Sequence, residues 1–108
     1  MSNVRYQSAI ADLDKTGKCS MKVFGQSMTP LIESGSLLTF HKTDNYKVGD
    51  VVFCRVGSRF IDAHKITKIA SDGRFMIANN KGHENGWARQ VYGRVTSVNG
   101  RPFGRPLE

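Results

Sequence analysis

Turn-forming residues cut this chain into short pieces, and that punctuation limits it to a β-rich architecture. Breaks fall at Ser34-Gly35, Val48-Gly49-Asp50, Val56-Gly57-Ser58, Ser71-Asp72-Gly73 and across 79–86. Gly, Asn, Asp and Ser suit such places because they tolerate the backbone conformations and local hydrogen bonds of turns. Between the breaks lie segments of strand length. In the first, Cys19, Met21 and Val23 alternate with Ser20 and Lys22, the period of a strand with one buried face. Further strands are expected over 37–41, 50–56, 59–69, 74–78 and 91–98. Short strands at close spacing predict a coiled antiparallel β structure. Only the start differs. Tyr6, Ile10 and Leu13 recur at helical spacing and predict a short helix over 3–13, with Gly17 closing the pattern. The expected fold class is mainly β with a short N-terminal helix. Its expected organisation is an N-terminal arm over 1–18, a β domain over 19–98, and an irregular, mobile tail over 99–108 containing Gly100, Pro102, Gly104 and Pro106.

Length and charge narrow the class. A chain of 108 residues fits one domain. Lys and Arg number 16 against 9 Asp and Glu, a net charge of +7. Such an excess favours phosphate-rich or acidic partners, so nucleic acid stays among the candidate partners. The basic residues are scattered rather than run together. Cys19 and Cys54 belong to no C-x-x-C pair, which argues against a zinc knuckle or redox motif. They are read as reduced core residues, with one disulfide as the alternative in an exported protein, and no metal or other cofactor is expected. No segment approaches the roughly 20 apolar residues needed to cross a bilayer. The first residues lack the apolar stretch of a signal peptide. A cytoplasmic protein with no membrane partner is expected.

The sharpest local feature is Phe24-Gly25-Gln26-Ser27-Met28-Thr29-Pro30. A strand runs into Gly25, and Pro30 is placed to start one helical turn over 30–33. A Ser at such a junction projects its hydroxyl from the sheet edge, where neighbouring backbone N–H groups can face an oxyanion. Gln26 and Met28 flank it as turn supports, with Met28 packing beneath. The plainer reading is a polar turn between two strands. A Ser hydroxyl needs a base to become a nucleophile. Of the three His, His41 ends a strand and His83 lies in a turn-rich loop. His64 sits among apolar residues in Phe60-Ile61-Asp62-Ala63-His64-Lys65-Ile66. There it is either a packed core residue or a placed base.

Gly25-Gln26-Ser27-Met28-Thr29-Pro30 resembles the G-x-S-M-x-P box of the serine peptidase superfamily that joins type I signal peptidases and LexA-type repressors. Four more boxes follow in the same order. Val48-Gly49-Asp50-Val51-Val52 resembles its G-D-hydrophobic strand, and Ala63-His64-Lys65-Ile66 the H-R-hydrophobic box of the archaeal and endoplasmic-reticulum signal peptidases. Lys81-Gly82-His83-Glu84-Asn85 resembles their K-G-D-x-N box, and Tyr92-Gly93-Arg94-Val95 the closing G-K/R-V strand. The resemblance spans about residues 19–98. It implies the LexA/signal peptidase-like fold, with Ser27 as nucleophile and His64 as base. Some branches use a Lys as base, but Lys65 occupies the box's Arg position. Using Lys65 would require a one-residue shift, which turns a side chain to the opposite sheet face.

The sequence departs from that pattern at the acid that orients the imidazole. His83 stands in the Asp position, and residues 86–90 supply no carboxylate. In trypsin, replacing the orienting Asp by Asn costs about 10⁴ in rate. Two substitutes are expected as candidates. Asp62 lies two residues before His64, hence on the same face of a regular strand, and Glu84 lies within the altered box. Gly35-Ser36 also replaces the family's usual Gly-Asp. Three functions follow as expectations. One is a Ser/His peptidase acting on a peptide or protein substrate in trans, bound as an added strand, or on itself. Another is a weak or inactive peptidase-fold module that binds a protein or nucleic acid. The last is a homodimer paired through the strand from Val91 to Val98. Trp87 and Phe103 are read either as local packing or as the lining of a partner groove.

Overall fold

The computed structural model describes residues 4–107. One helix, α1 (Val4–Thr16), precedes eight strands: β1 (Lys18–Lys22), β2 (Leu37–His41), β3 (Val51–Val56), β4 (Arg59–Ile69), β5 (Phe75–Ala78), β6 (Glu84–Ala88), β7 (Gln90–Val98) and β8 (Arg101–Pro102). The mainly β architecture with one N-terminal helix is as the turn punctuation predicts. Residue 3, the expected helix start, lies outside the described residues. The helix ends later than expected because Gly17 closes it: at φ 79° it donates its N–H to the Leu13 carbonyl at 2.9 Å. None of the helices among the described residues is long and apolar enough to cross a membrane.

All pairings are antiparallel, in the order β1-β2-β7-β3-β4-β5-β6, with β8 on β7. The sheet curls on itself, so that a methyl group placed on Gly86 of β6 would lie 3.1 Å from Val56 of β3. Curling sorts the apolar side chains into two clusters. Ala9 and Leu13 of α1 join Leu38, Phe40, Phe53 and Met28 in one. Val52, Cys54, Ile61, Ile66, Ile77 and Ala88 form the other. The cysteines are free and buried, one in each cluster, and burial raises their thiols to about 11 for Cys19 and about 12 for Cys54.

Three expectations need correction. The strand from Val91 to Val98 is not a sheet edge, because β7 pairs with β3 through Gln90–Arg94, with β2 through Arg94–Val98, and with β8 at its end. It lies inside the sheet, between β2 and β3. The stretch after Asn79 contains a strand, β6, paired to β5. The tail is not loose either. Arg105 reaches back 55 residues to Asp50, at 2.9 Å from Oδ1 and 3.0 Å from Oδ2. Buried Arg94 donates to the carbonyls of Arg105 and Pro106, each at 3.0 Å. The Asp50 side chain is only 5% exposed. Removing the partner of a buried carboxylate is costly, so Arg105→Ala is expected to destabilise the protein by about 3 kcal/mol. A urea titration checks this. An unchanged midpoint would mean the Arg105–Asp50 ion pair adds nothing to the fold.

Candidate active site

The Ser27 loop is braced from both sides. After β1, Val23 stays paired: its N–H donates to the Ser36 carbonyl (3.0 Å), and its carbonyl accepts from Gly35 (2.7 Å). The chain then turns at Gly25, whose φ of 108° suits glycine, and the Gly25 N–H finds Ser34 Oγ at 3.0 Å. Ser27 is exposed while Met28 and Ile32 are buried below it, at 4% and 3% exposure. The Gln26 carbonyl accepts from the Thr29 N–H (3.2 Å) and hydroxyl (2.8 Å). The expected helical turn starting at Pro30 is instead a single turn opened at Met28, whose carbonyl accepts from the Ile32 N–H at 2.8 Å. Within it the Thr29-Pro30 bond is cis. A second brace comes from Asn80, which sequence reasoning passed over as a turn residue. Its N–H donates to the Ser27 carbonyl (2.9 Å) and its side-chain amide to the Thr29 carbonyl (3.1 Å). With those carbonyls engaged, the N–H groups of Gln26, Ser27 and Met28 have no acceptor among the described residues.

Strand β4 supplies the imidazole of His64. His64 Nε2 lies 3.0 Å from Ser27 Oγ, and Nδ1 lies 2.7 Å from Asn85 Oδ1 on β6. Two side chains 37 positions apart thus meet, as the sequence led one to expect. In the sequence Asn85 is the last letter of the altered box, where the lost Asp points to carboxylates as its substitutes. The retained Asn was the available signal. Because Asn85 presents its carbonyl oxygen, Nδ1 carries the proton and Nε2 keeps the lone pair that receives the Ser27 hydroxyl. The ring is 9% exposed. Burial lowers the His64 pKa below its usual 6.5, the hydrogen bond to Asn85 opposes this, and Arg59 reinforces it. Burial thus favours the neutral imidazole.

The remaining candidates do not touch the imidazole. The pairing of β3 with β4 slips between Val52 and Cys54: Ile61 faces Cys54, but His64 faces Val52. One extra residue of β4 is therefore left out of register, a β-bulge. Alternation fails across it, which is why Ile61 and Ile66 pack in one cluster and Ala63 in the other. The inference that Asp62 shares the face of His64 fails with it. Asp62 instead binds Arg5 of α1 at 3.1 Å. Glu84 pairs with Lys68 at 3.3 Å. The His83 N–H donates to Asn79 Oδ1 at 2.9 Å, and its ring acts on His64 only through charge, opposing protonation. Lys65 follows His64 on the regular ladder, opposite Val51 and Ala78, so its side chain takes the other face. Among the described residues, no three His, Cys, Asp or Glu side chains are grouped to hold a metal ion.

A cleft of about 220 Å³ runs beside the Ser27–His64 pair. Val23, Met28, Ile32, Ile61 and Ala63 give it an apolar wall, and Phe24, 71% exposed, stands at its lip. Over residues 3–96 the chain matches the model of a family described as Peptidase S24-like. No curated protein matches it.

Proposed function

The chain belongs to the Peptidase S24-like family, and from that premise we propose that it is a serine peptidase with Ser27 as nucleophile, His64 as general base and Asn85 as the residue that orients the imidazole. The observation that carries this reading is the unbroken hydrogen-bonded line from Ser27 Oγ through both nitrogens of His64 to Asn85 Oδ1. In the proposed reaction a peptide lies extended in the cleft with its carbonyl carbon against Ser27 Oγ. His64 Nε2 takes the hydroxyl proton as Oγ bonds to that carbon. The oxyanion faces the unpaired N–H groups around Ser27. Collapse breaks the C–N bond, and Nε2–H passes its proton to the departing amine. Water then attacks the acyl-serine, giving its proton to Nε2, and that proton returns to Oγ as the acid leaves.

One observation favours a slower variant of this function. The partner of His64 is a neutral amide, which fixes the tautomer but adds no negative charge to stabilise the imidazolium. A peptide-binding module with residual turnover is therefore the second reading. A fluorophosphonate probe at pH 8 tests the first. The protein is expected to be labelled at one site, with labelling lost in Ser27→Ala. A folded protein that takes no label would leave the binding module as the better description.

A further inference from the structure

Away from the Ser27 cleft, a second depression is lined by Arg55, Gly57, Arg74, Trp87, Arg89 and Gln90, and no carboxylate lines it. We infer that this surface binds single-stranded nucleic acid, with Trp87 stacking on a base and the three arginines taking phosphates. Two of the arginines are held in place before any ligand arrives. Arg74 donates Nε to both oxygens of Asp72, at 3.0 and 2.9 Å, and lays its guanidinium 4.9 Å from the centre of the Trp87 ring. Arg55 donates to the Gly57 carbonyl at 3.1 Å and lies 5.2 Å from the centre of the Phe60 ring. Arg89 stands 3.9 Å from Asp72, with 72% of its side chain exposed. Among the described residues Asp72 is thus the one acidic group paired with any of the three, and it sits outside the depression, leaving a net positive face. That face belongs to a protein carrying +7 overall.

An acidic protein would satisfy the arginines but has no particular use for the indole. Trp87 is 36% exposed, with Arg74 stacked on the ring. An exposed indole with the planar Arg74 guanidinium laid over it suits unstacked bases, which lie against aromatic and arginine planes alike. In a duplex the base faces are already stacked on each other, so a single strand is the better fit.

Trp87 is the chain's only tryptophan, so intrinsic fluorescence reports on this surface directly. Titration with a short oligothymidylate at low salt is expected to quench it. The affinity should fall with salt at a log–log slope of about −2 for three phosphate contacts on a single strand. Arg89→Glu, a change at an exposed position, should weaken binding at least about tenfold, as reversing one phosphate contact predicts. Its fluorophosphonate labelling should be unchanged, which separates this surface from the serine site. Fluorescence unmoved by the oligonucleotide would overturn the inference. So would equal quenching by polyglutamate, or a duplex of the same length binding as tightly.

Discussion

His64→Ala is expected to slow fluorophosphonate labelling of Ser27 by about 10² to 10⁴-fold at pH 8, the range a positioned general base supplies. The magnitude follows from the absence of a substitute within reach. Asp62 is held by Arg5 at 3.1 Å, Glu84 by Lys68 at 3.3 Å, and Lys65 lies one ladder position on, with its side chain to the other face. Ser27 is exposed in a braced loop that does not depend on the imidazole, so the hydroxyl stays in place without its base. Truncating a buried ring also lowers stability. The labelling assay therefore belongs beside a urea titration showing the variant folded under assay conditions. Lys65→Ala is the companion, expected to label at about the wild-type rate. The reverse pattern, with His64→Ala unaffected and Lys65→Ala silent, would show that the amine and not the imidazole takes the proton.

Asn85 predicts effects in both directions. Asn85→Ala removes one hydrogen bond to a ring that becomes charged during the reaction, worth about 1.5–3 kcal/mol, or about 10 to 100-fold in rate. Asn85→Asp keeps the acceptor at the 2.7 Å position and adds a negative charge. A carboxylate there favours the imidazolium, so the His64 pKa rises. Labelling should accelerate about tenfold or more, for the charge stabilisation that an amide cannot provide. The pH profile gives a second readout. In the wild type, burial lowers the His64 pKa, so the midpoint of the labelling profile should lie below 6.5. In Asn85→Asp the rise should move to higher pH. A profile that does not shift would mean position 85 has no electrostatic hold on the base.

The parts of this molecule that follow from local rules were legible in the sequence. Strands Leu37–His41 and Arg59–Ile69 end where turn residues stop them, and Ser27 sits where a strand runs into a glycine turn. What escaped depends on partners distant in the chain. Strand β6, Glu-Asn-Gly-Trp-Ala, has too few apolar residues to announce itself, and it exists because β5 pairs with it. The tail is ordered by an ion pair spanning 55 positions, from Asp50 to Arg105. Asn85 was overlooked for a chemical reason. The missing Asp directed attention to carboxylates, although an amide oxygen sets a tautomer equally well. Asp62 was misplaced because period-two reasoning assumes an uninterrupted ladder, and nothing local to 61–64 marks the slip.

That slip reaches further than one misassigned acid. Continued without interruption from Arg59 opposite Val56 and Ile61 opposite Cys54, the ladder would set Ala63 against Val52 and His64 against Val51. A methyl group would then meet the serine, and the imidazole would retreat to the far side. An engineer who idealised this strand would part His64 from Ser27 without changing either residue. The chemistry here is written in a spacing as much as in an alphabet.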